Sequence, residues 1–133
     1  MNYRSLILFA MLSFVVPLTA TAHHSVQAEF DFDKPIEFNN ALLTKVEWVN
    51  PHSYMFFDVK DSSGSVQHWA FETHSVGGLH KQGVNGDIVK VGGIYTVRGL
   101  RSKDGKNTAF LKEIVLPDGH TYRVWFGDPN DKQ

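Results

Sequence analysis

Short runs in which apolar and polar residues alternate, separated by turn-forming residues, recur from residue 36 to residue 126. This alternation is typical of strands that have one face on a core and the other in water. The runs predict strands at 36–49, 54–60, 66–73, 94–101, 107–116 and 121–126. Turn residues at 61–64 and Asp104-Gly105 predict hairpins between two pairs of these strands. The fold class is therefore predicted to be all-β.

The segment between the third and fourth strands, residues 75–93, is rich in glycine and leaves room for a short helix only. The predicted order is three strands, a short helical connector and two strands, followed by a short terminal arm. Three strands, a helix and two strands are the order of a small five-stranded OB-like barrel, which closes the sheet and hides its edges. An open sandwich is the alternative.

The amino-terminal end predicts export. Arg4 precedes an apolar run over residues 6–16, which is shorter than the about 20 residues that a transmembrane helix needs. Pro17 follows, and Ala20-Thr21-Ala22 supplies the small residues of a cleavage site. We therefore expect a cleaved signal peptide at 1–22, a lead-in segment at 23–35, an OB-like domain at 36–127 and a tail at 128–133. The expected location is periplasmic or secreted, without a stable membrane anchor after cleavage.

Composition disfavours several classes of function. The chain has 13 basic and 14 acidic residues, so no basic footprint for nucleic acid is visible. It has no cysteine, which excludes disulfides, thiolate metal ligands and cysteine catalysis. No His-Glu-x-x-His motif, nucleophile elbow or phosphate loop is present, and the sequence therefore predicts no enzymatic activity.

Several local motifs recur along the predicted mature chain: Ala22-His23-His24-Ser25, Phe30-Asp31, Lys34-Pro35, Trp48-Val49-Asn50-Pro51-His52, Trp69-Ala70-Phe71-Glu72, Lys103-Asp104-Gly105 and Leu116-Pro117-Asp118-Gly119. Together they resemble a family of small secreted bacterial proteins of unknown function. Members of that family start the mature chain with His-His-Ser and carry Trp-x-Asn-Pro-His at the end of the first long strand. The resemblance implies export and an OB-like barrel, but no reaction.

The paired histidines at the predicted cleavage site suggest a metal site. If cleavage follows Ala22, the α-amino group and Nδ1 of His23 can chelate one ion, and His52 is the candidate third ligand. Such a nitrogen site suits copper or a similar divalent ion. If cleavage precedes Ala22, His24 becomes the third residue, and its imidazole, the amino group and two backbone amides form a square-planar copper or nickel site. The alternative is that His23 and His24 are polar residues of a flexible terminus.

Other histidines and one carboxylate are weaker candidates. Glu72 and His74 lie two apart on a predicted strand and would project from one face, where a carboxylate and an imidazole could share a metal or a proton. Glu72 matches the family motif, and we expect it to hold an imidazole in place rather than to bind the metal. His74 lies where family members carry small residues and proline, so we interpret it as accidental. The remaining histidines, His68, His80 and His120, are predicted to be surface residues.

A metal-independent function remains a second possibility. Tyr54 and Phe56 are predicted on the outer face of a strand, opposite its apolar face. They could bind a peptide, a glycan or an envelope protein. By contrast, Trp48 and Trp69 share faces with apolar residues and are predicted to be core rather than a stacking platform.

Overall fold

The computed structural model describes residues 25–131. Two short helices and six strands follow one another along this part of the chain, and the all-β prediction is confirmed. Their bounds, in chain order, are α1 Val26–Glu29, β1 Phe30–Glu47, β2 Tyr54–Lys60, β3 Val66–Glu72, α2 Val76–Lys81, β4 Ile94–Ser102, β5 Thr108–Val115 and β6 Thr121–Arg123. Neither helix of the described part has the length and apolar character that crossing a bilayer requires.

Five of the strands close into a ring. The hydrogen-bonded order is β3-β2-β1-β4-β5-β6, with antiparallel neighbours throughout. A further parallel pairing joins β3 to β5 through Ala70 with Thr108, Phe71 with Ala109 and Glu72 with Phe110. The ring therefore runs β1, β2, β3, β5, β4 and back to β1, and β6 adds an arm to β5. This closure confirms the OB-like strand order and excludes the alternative fold, an open sandwich.

The first strand begins earlier than the sequence predicts. The lead-in segment contains α1 and the start of β1, and Phe30 already pairs with Ser102 of β4. Residues 30–35 show no sustained alternation, since charged residues and Pro35 interrupt it. Pairing with β4 provides the hydrogen-bond ladder that the local sequence does not indicate.

A bulge in β1 makes the prediction of which of its side chains face the core wrong. The alternation predicts Leu42, Val46 and Trp48 on one face and Leu43 on the other. The register with β2 shifts between Leu43 and Lys45. As a result Leu43 is fully buried and Leu42 is 38% exposed, while Val46 and Trp48 pack against the same core as Leu43. One extra residue in a strand reverses the faces that follow it.

The ring encloses the main core, and a second, smaller cluster lies beside it. The main core includes Trp69 and has Trp48 packed against it, as predicted. The smaller cluster consists of Phe30, Leu100 and Phe110. Three partly buried side chains pack against the smaller cluster: Val26 of α1, Phe32 and Trp125. This packing fixes the start of the described chain near the end of β3, because Phe110 is the register partner of Glu72.

Candidate functional site

The structure brings His52 and Glu72 together. His52 follows the cis Asn50-Pro51 bond and precedes β2, whereas Glu72 is the last residue of β3. The two strands pair in a register that puts Tyr54 opposite Glu72. From this position the Glu72 carboxylate accepts a hydrogen bond from Nδ1 of His52. A neutral imidazole that donates through Nδ1 carries its lone pair on Nε2, which is the atom that can bind a metal.

Tyr54 is a second donor to the same carboxylate. Burial raises the pKa of the Tyr54 hydroxyl, and the negative charge of Glu72 and the hydrogen bond to it raise the pKa further. The charges of Glu29 and Glu47 act in the same direction more weakly. Glu72 is thus held between an imidazole and a phenol, and only 14% of its side chain is exposed.

His74 lies beyond the end of β3, close to His52. Its ring meets Phe110 edge to face, with 6.0 Å between the ring centroids. Partial burial lowers the pKa of His74, and His52 in its protonated form lowers it further. His74 is therefore predominantly neutral at neutral pH. Within residues 25–131, no three histidine or carboxylate side chains are gathered around a common metal position.

The predicted terminal ligands, His23 and His24, lie outside the described residues. The neighbouring part of the chain is well fixed, because the Lys103 backbone N–H donates to the Glu29 carbonyl at 2.9 Å. In addition, Nζ of Lys103 donates to the Gln27 carbonyl at 2.6 Å. These bonds attach α1 to the hairpin between β4 and β5.

A cavity of about 450 Å³ lies between α1 and this hairpin. Ala28 and Glu29 of α1 line it together with Tyr54 and Glu72. The end of α1 therefore borders the same space as the Glu72 carboxylate. Sequence reasoning missed the part played by α1, because only the folded chain brings Glu29 beside Tyr54.

The proposed aromatic face is present on β2. Tyr54 and Phe56 are partly exposed and alternate with the buried Met55 and Phe57, as predicted. Their ring centroids are 6.5 Å apart. Phe56 lines a second cavity of about 460 Å³ with polar residues that include Lys45 and His68.

The three histidines predicted at the surface are exposed. His68 pairs with Asp58 at 2.6 Å, and 81% of its side chain is accessible. The His80 ring lies 6.3 Å from that of Trp48, and the His120 ring lies 4.5 Å from that of Tyr122. His68 is consequently a suitable control residue for tests of the other histidines.

Comparison with known proteins identifies a family. No curated protein and no solved structure matches the chain. A family of unknown function, DUF6152, matches residues 11–111, which include the Trp-x-Asn-Pro-His motif, Glu72 and His74. This range is more than half of the chain and agrees with the resemblance drawn from the motifs. The protein therefore belongs to the DUF6152 family of unknown function.

Proposed function

We propose that the chain is an exported protein that binds Cu(II) or a similar divalent ion through His23, His24 and His52. Glu72 orients the His52 imidazole and does not itself bind the metal. In this function the protein acts as a carrier, sensor or scavenger of the ion in the periplasm or outside the cell.

The hydrogen bond between His52 and Glu72 is the observation that carries the proposal. Histidines that bind metals commonly donate their other ring N–H to a carboxylate, which fixes the tautomer and makes the ligating nitrogen more basic. In this proposal the bond from Nδ1 to Glu72 orients His52, and Nε2 is the nitrogen assigned to the metal. Glu72 is in turn held by Tyr54, so the orienting group is itself positioned.

The course of the chain is compatible with the terminal ligands. His24 is four residues before Ala28, and Ala28 lines the cavity that also borders Glu72. The described residues that follow the predicted amino terminus therefore border the cavity that Glu72 also lines.

Two processed forms distinguish the two possible chelates. The first form begins at His23, so its α-amino group and imidazole belong to one residue. The second begins at Ala22 and places His24 third. We expect the first form to lose Cu(II) affinity in His23→Ala and His52→Ala, whereas the second loses affinity in His24→Ala and is insensitive to His52→Ala.

Equilibrium titration with Cu(II) checks these expectations, with His68→Ala as the matched control and circular dichroism as a test of folding. Submicromolar binding that is unchanged in both His23→Ala and His52→Ala of the first form would contradict the proposed site. Mass measurement of the exported protein then decides which form exists in the cell.

The aromatic face of Tyr54 and Phe56 supports a second candidate, a metal-independent module that binds a peptide, a glycan or an envelope protein. The observation that favours it is the pair of cavities beside these two rings. This function predicts that a chain lacking His23 and His24 still captures its partner, and that Phe56→Ala does not. Loss of capture on deletion of the two histidines alone would contradict it.

A further inference from the structure

Three cavities follow one another along the outer face of β2. The first, of about 450 Å³, is lined by Tyr54 and Ala70. The second, of about 460 Å³, shares Ala70 with the first and is also lined by Phe56 and Asp58. The third, of about 490 Å³, shares Asp58 with the second and is also lined by Lys60. Because neighbouring cavities share a lining residue, they form one continuous depression, which we call the outer groove.

The outer groove has the dimensions of an extended ligand. Its β2 residues, Tyr54, Phe56, Asp58 and Lys60, alternate with buried residues, so all four lie on the same face of the strand. At about 3.3 Å per residue, the distance along the strand from Tyr54 to Lys60 is about 20 Å. A linear molecule of several units therefore fits the groove better than a single compact one.

The floor of the groove offers side chains rather than a free strand edge. β2 pairs with β1 on one side and with β3 on the other, so it is an inner strand of the sheet. Peptides that bind by adding a strand need an unpaired edge, because their backbone groups form hydrogen bonds with it. A ligand of the outer groove is therefore recognised through side chains.

Charged side chains at the centre of the groove are paired with one another. Lys45 pairs with Glu47, and His68 pairs with Asp58. Nucleic acids and other acidic polymers are bound by grooves that carry an excess of basic residues. The pairing of opposite charges favours a ligand without net charge.

The second cavity also combines an aromatic ring with neutral hydrogen-bonding groups. The ring is that of Phe56, and the neutral groups are the hydroxyl of Thr44 and the amide of Asn107. Asn39 and Asn40 continue the polar lining in the third cavity. A sugar ring has apolar C–H faces that pack against aromatic rings, and hydroxyl groups that form hydrogen bonds with such side chains.

We propose that the outer groove binds an extended neutral oligosaccharide, with Phe56 as the stacking surface at its centre. The inference rests on the second candidate function, binding by the aromatic face, and is independent of the metal proposal. By analogy of fold, OB-type barrels bind oligosaccharides and oligonucleotides on the face of their second and third strands. The paired charges of this groove favour the oligosaccharide.

Stacking on Phe56 requires a movement of Lys45. Nζ of Lys45 lies 5.3 Å from the centroid of the Phe56 ring, so a sugar that stacks on this side displaces it. The Lys45 side chain is 61% exposed, and exposed ion pairs contribute little to stability. The displacement therefore costs little free energy.

The test measures binding of two neutral linear sugars, cellohexaose and chitohexaose, to the chain that begins at His23 and contains all the described residues. A chelator is present, so that bound metal does not contribute. Amide chemical shifts in NMR titrations locate the ligand and give the dissociation constant. We expect the shifts to concentrate along the outer groove, and Phe56→Ala to raise the dissociation constant at least roughly tenfold.

Phe126→Ala is the matched control, because Phe126 is also an exposed phenylalanine but lies after β6. It should leave the dissociation constant unchanged. An acidic sugar of equal length, hexagalacturonate, should bind more weakly than either neutral sugar. The inference is overturned if neither neutral sugar shifts the groove amides at millimolar concentration, if Phe56→Ala binds as Phe126→Ala does, or if the acidic sugar binds most tightly.

A capped hexapeptide of serine and leucine separates the inference from the second candidate function. If this peptide binds in a manner that depends on Phe56 and the sugars do not bind, the aromatic face is a binding module and only the assignment to a sugar is wrong. If neither class of ligand binds, the inference is wrong, and the capture experiment with Phe56→Ala decides separately on the second candidate function.

Discussion

The carboxylate of Glu72 accepts hydrogen bonds from two side chains of different acidity, His52 and Tyr54. A buried or half-buried carboxylate is stable only when such donors are present, because the desolvation of a charged group is otherwise unfavourable. The same bonds restrict the rotation of both donors. At this scale the site is therefore a set of mutually positioned side chains, and a change in Glu72 should be measurable at its partners.

The pKa of Tyr54 reports on this arrangement. Burial raises the pKa of its hydroxyl above the ordinary 10.0, and Glu72 raises it further, since a tyrosinate beside a carboxylate is repelled and loses its hydrogen bond. We expect Glu72→Gln to lower the pKa of Tyr54 towards 10.0 but not fully to it, because burial persists. Ultraviolet absorbance titration, with Tyr54→Phe as the reference for the other tyrosines, measures the shift.

Glu37→Gln is the matched control, because Glu37 pairs with Arg98 instead of with Tyr54. Tyr54 should titrate in this variant as it does in the unmodified chain. An unchanged pKa of Tyr54 in Glu72→Gln would show that burial alone causes the shift.

At the scale of elements, the irregularities of β1 decide which side chains reach the core. The strand has 18 residues and pairs with β2 and β4, and its register shifts within both pairings. One of the shifts against β4 occurs beside Asn40, which has a positive φ of 57°. Bulges of this kind increase twist and allow one long strand to contribute to two sides of a closed ring.

The bulge after Leu43 gives a direct prediction for two adjacent leucines. Leu43 is fully buried, so Leu43→Ala should lower the free energy of unfolding by about 2–5 kcal/mol through lost burial and a residual cavity. Leu42 is 38% exposed, so Leu42→Ala should change it by no more than about 0.5 kcal/mol. Urea denaturation of both variants provides the comparison. Equal losses in the two variants would contradict the observed register.

At the scale of the whole molecule, the two ends of the described chain are tied to the ring and to each other. Phe32 packs against Trp125, with 5.8 Å between the ring centroids. The Asn130 side-chain amide donates to the Phe32 carbonyl at 3.1 Å. Further along the last segment, Asp128 and Asp131 both pair with Lys112 of β5. The segment after β6 is therefore held against β5 and the start of β1.

The stability of this segment should depend on pH through the ionisation of Asp128. Burial of Asp128 opposes its ionisation. Hydrogen bonds from Lys112 and from the Asn130 N–H, together with the positive charges of Lys112 and Arg123, outweigh this effect. The pKa of Asp128 is therefore below 3.8. A lowered pKa contributes stability above the unfolded value and loses it as pH falls through the folded value. We expect Asp128→Asn to lower the free energy of unfolding by about 1–3 kcal/mol at neutral pH.

The same variant should show a smaller further loss of stability below pH 3.8 than the unmodified chain. Urea denaturation at neutral and acidic pH measures both effects, with the exposed Asp87→Asn as the control. An Asp128→Asn protein as stable as the control at neutral pH would show that the ion pair contributes little.

The sequence by itself determined the strands and their order, because alternation with period two and Asp-Gly turns are local properties. The β2 bounds, the hairpin to β3 and the core position of Trp69 all follow from residues close together in the chain. The motifs likewise indicated the family and singled out His52 and Glu72 before their contact was visible.

Only the tertiary structure decided the rest, because it depends on contacts between distant residues. The start of β1 at Phe30 requires pairing with Ser102, and the position of α1 requires bonds from Lys103. His74 is interpreted as accidental from the sequence, yet its carbonyl accepts a hydrogen bond from the N–H of Ser53, the residue that follows His52. Local alternation predicts which face a side chain takes except where a bulge shifts the register, as it does after Leu43, whereas closure of the ring decides which side chains meet.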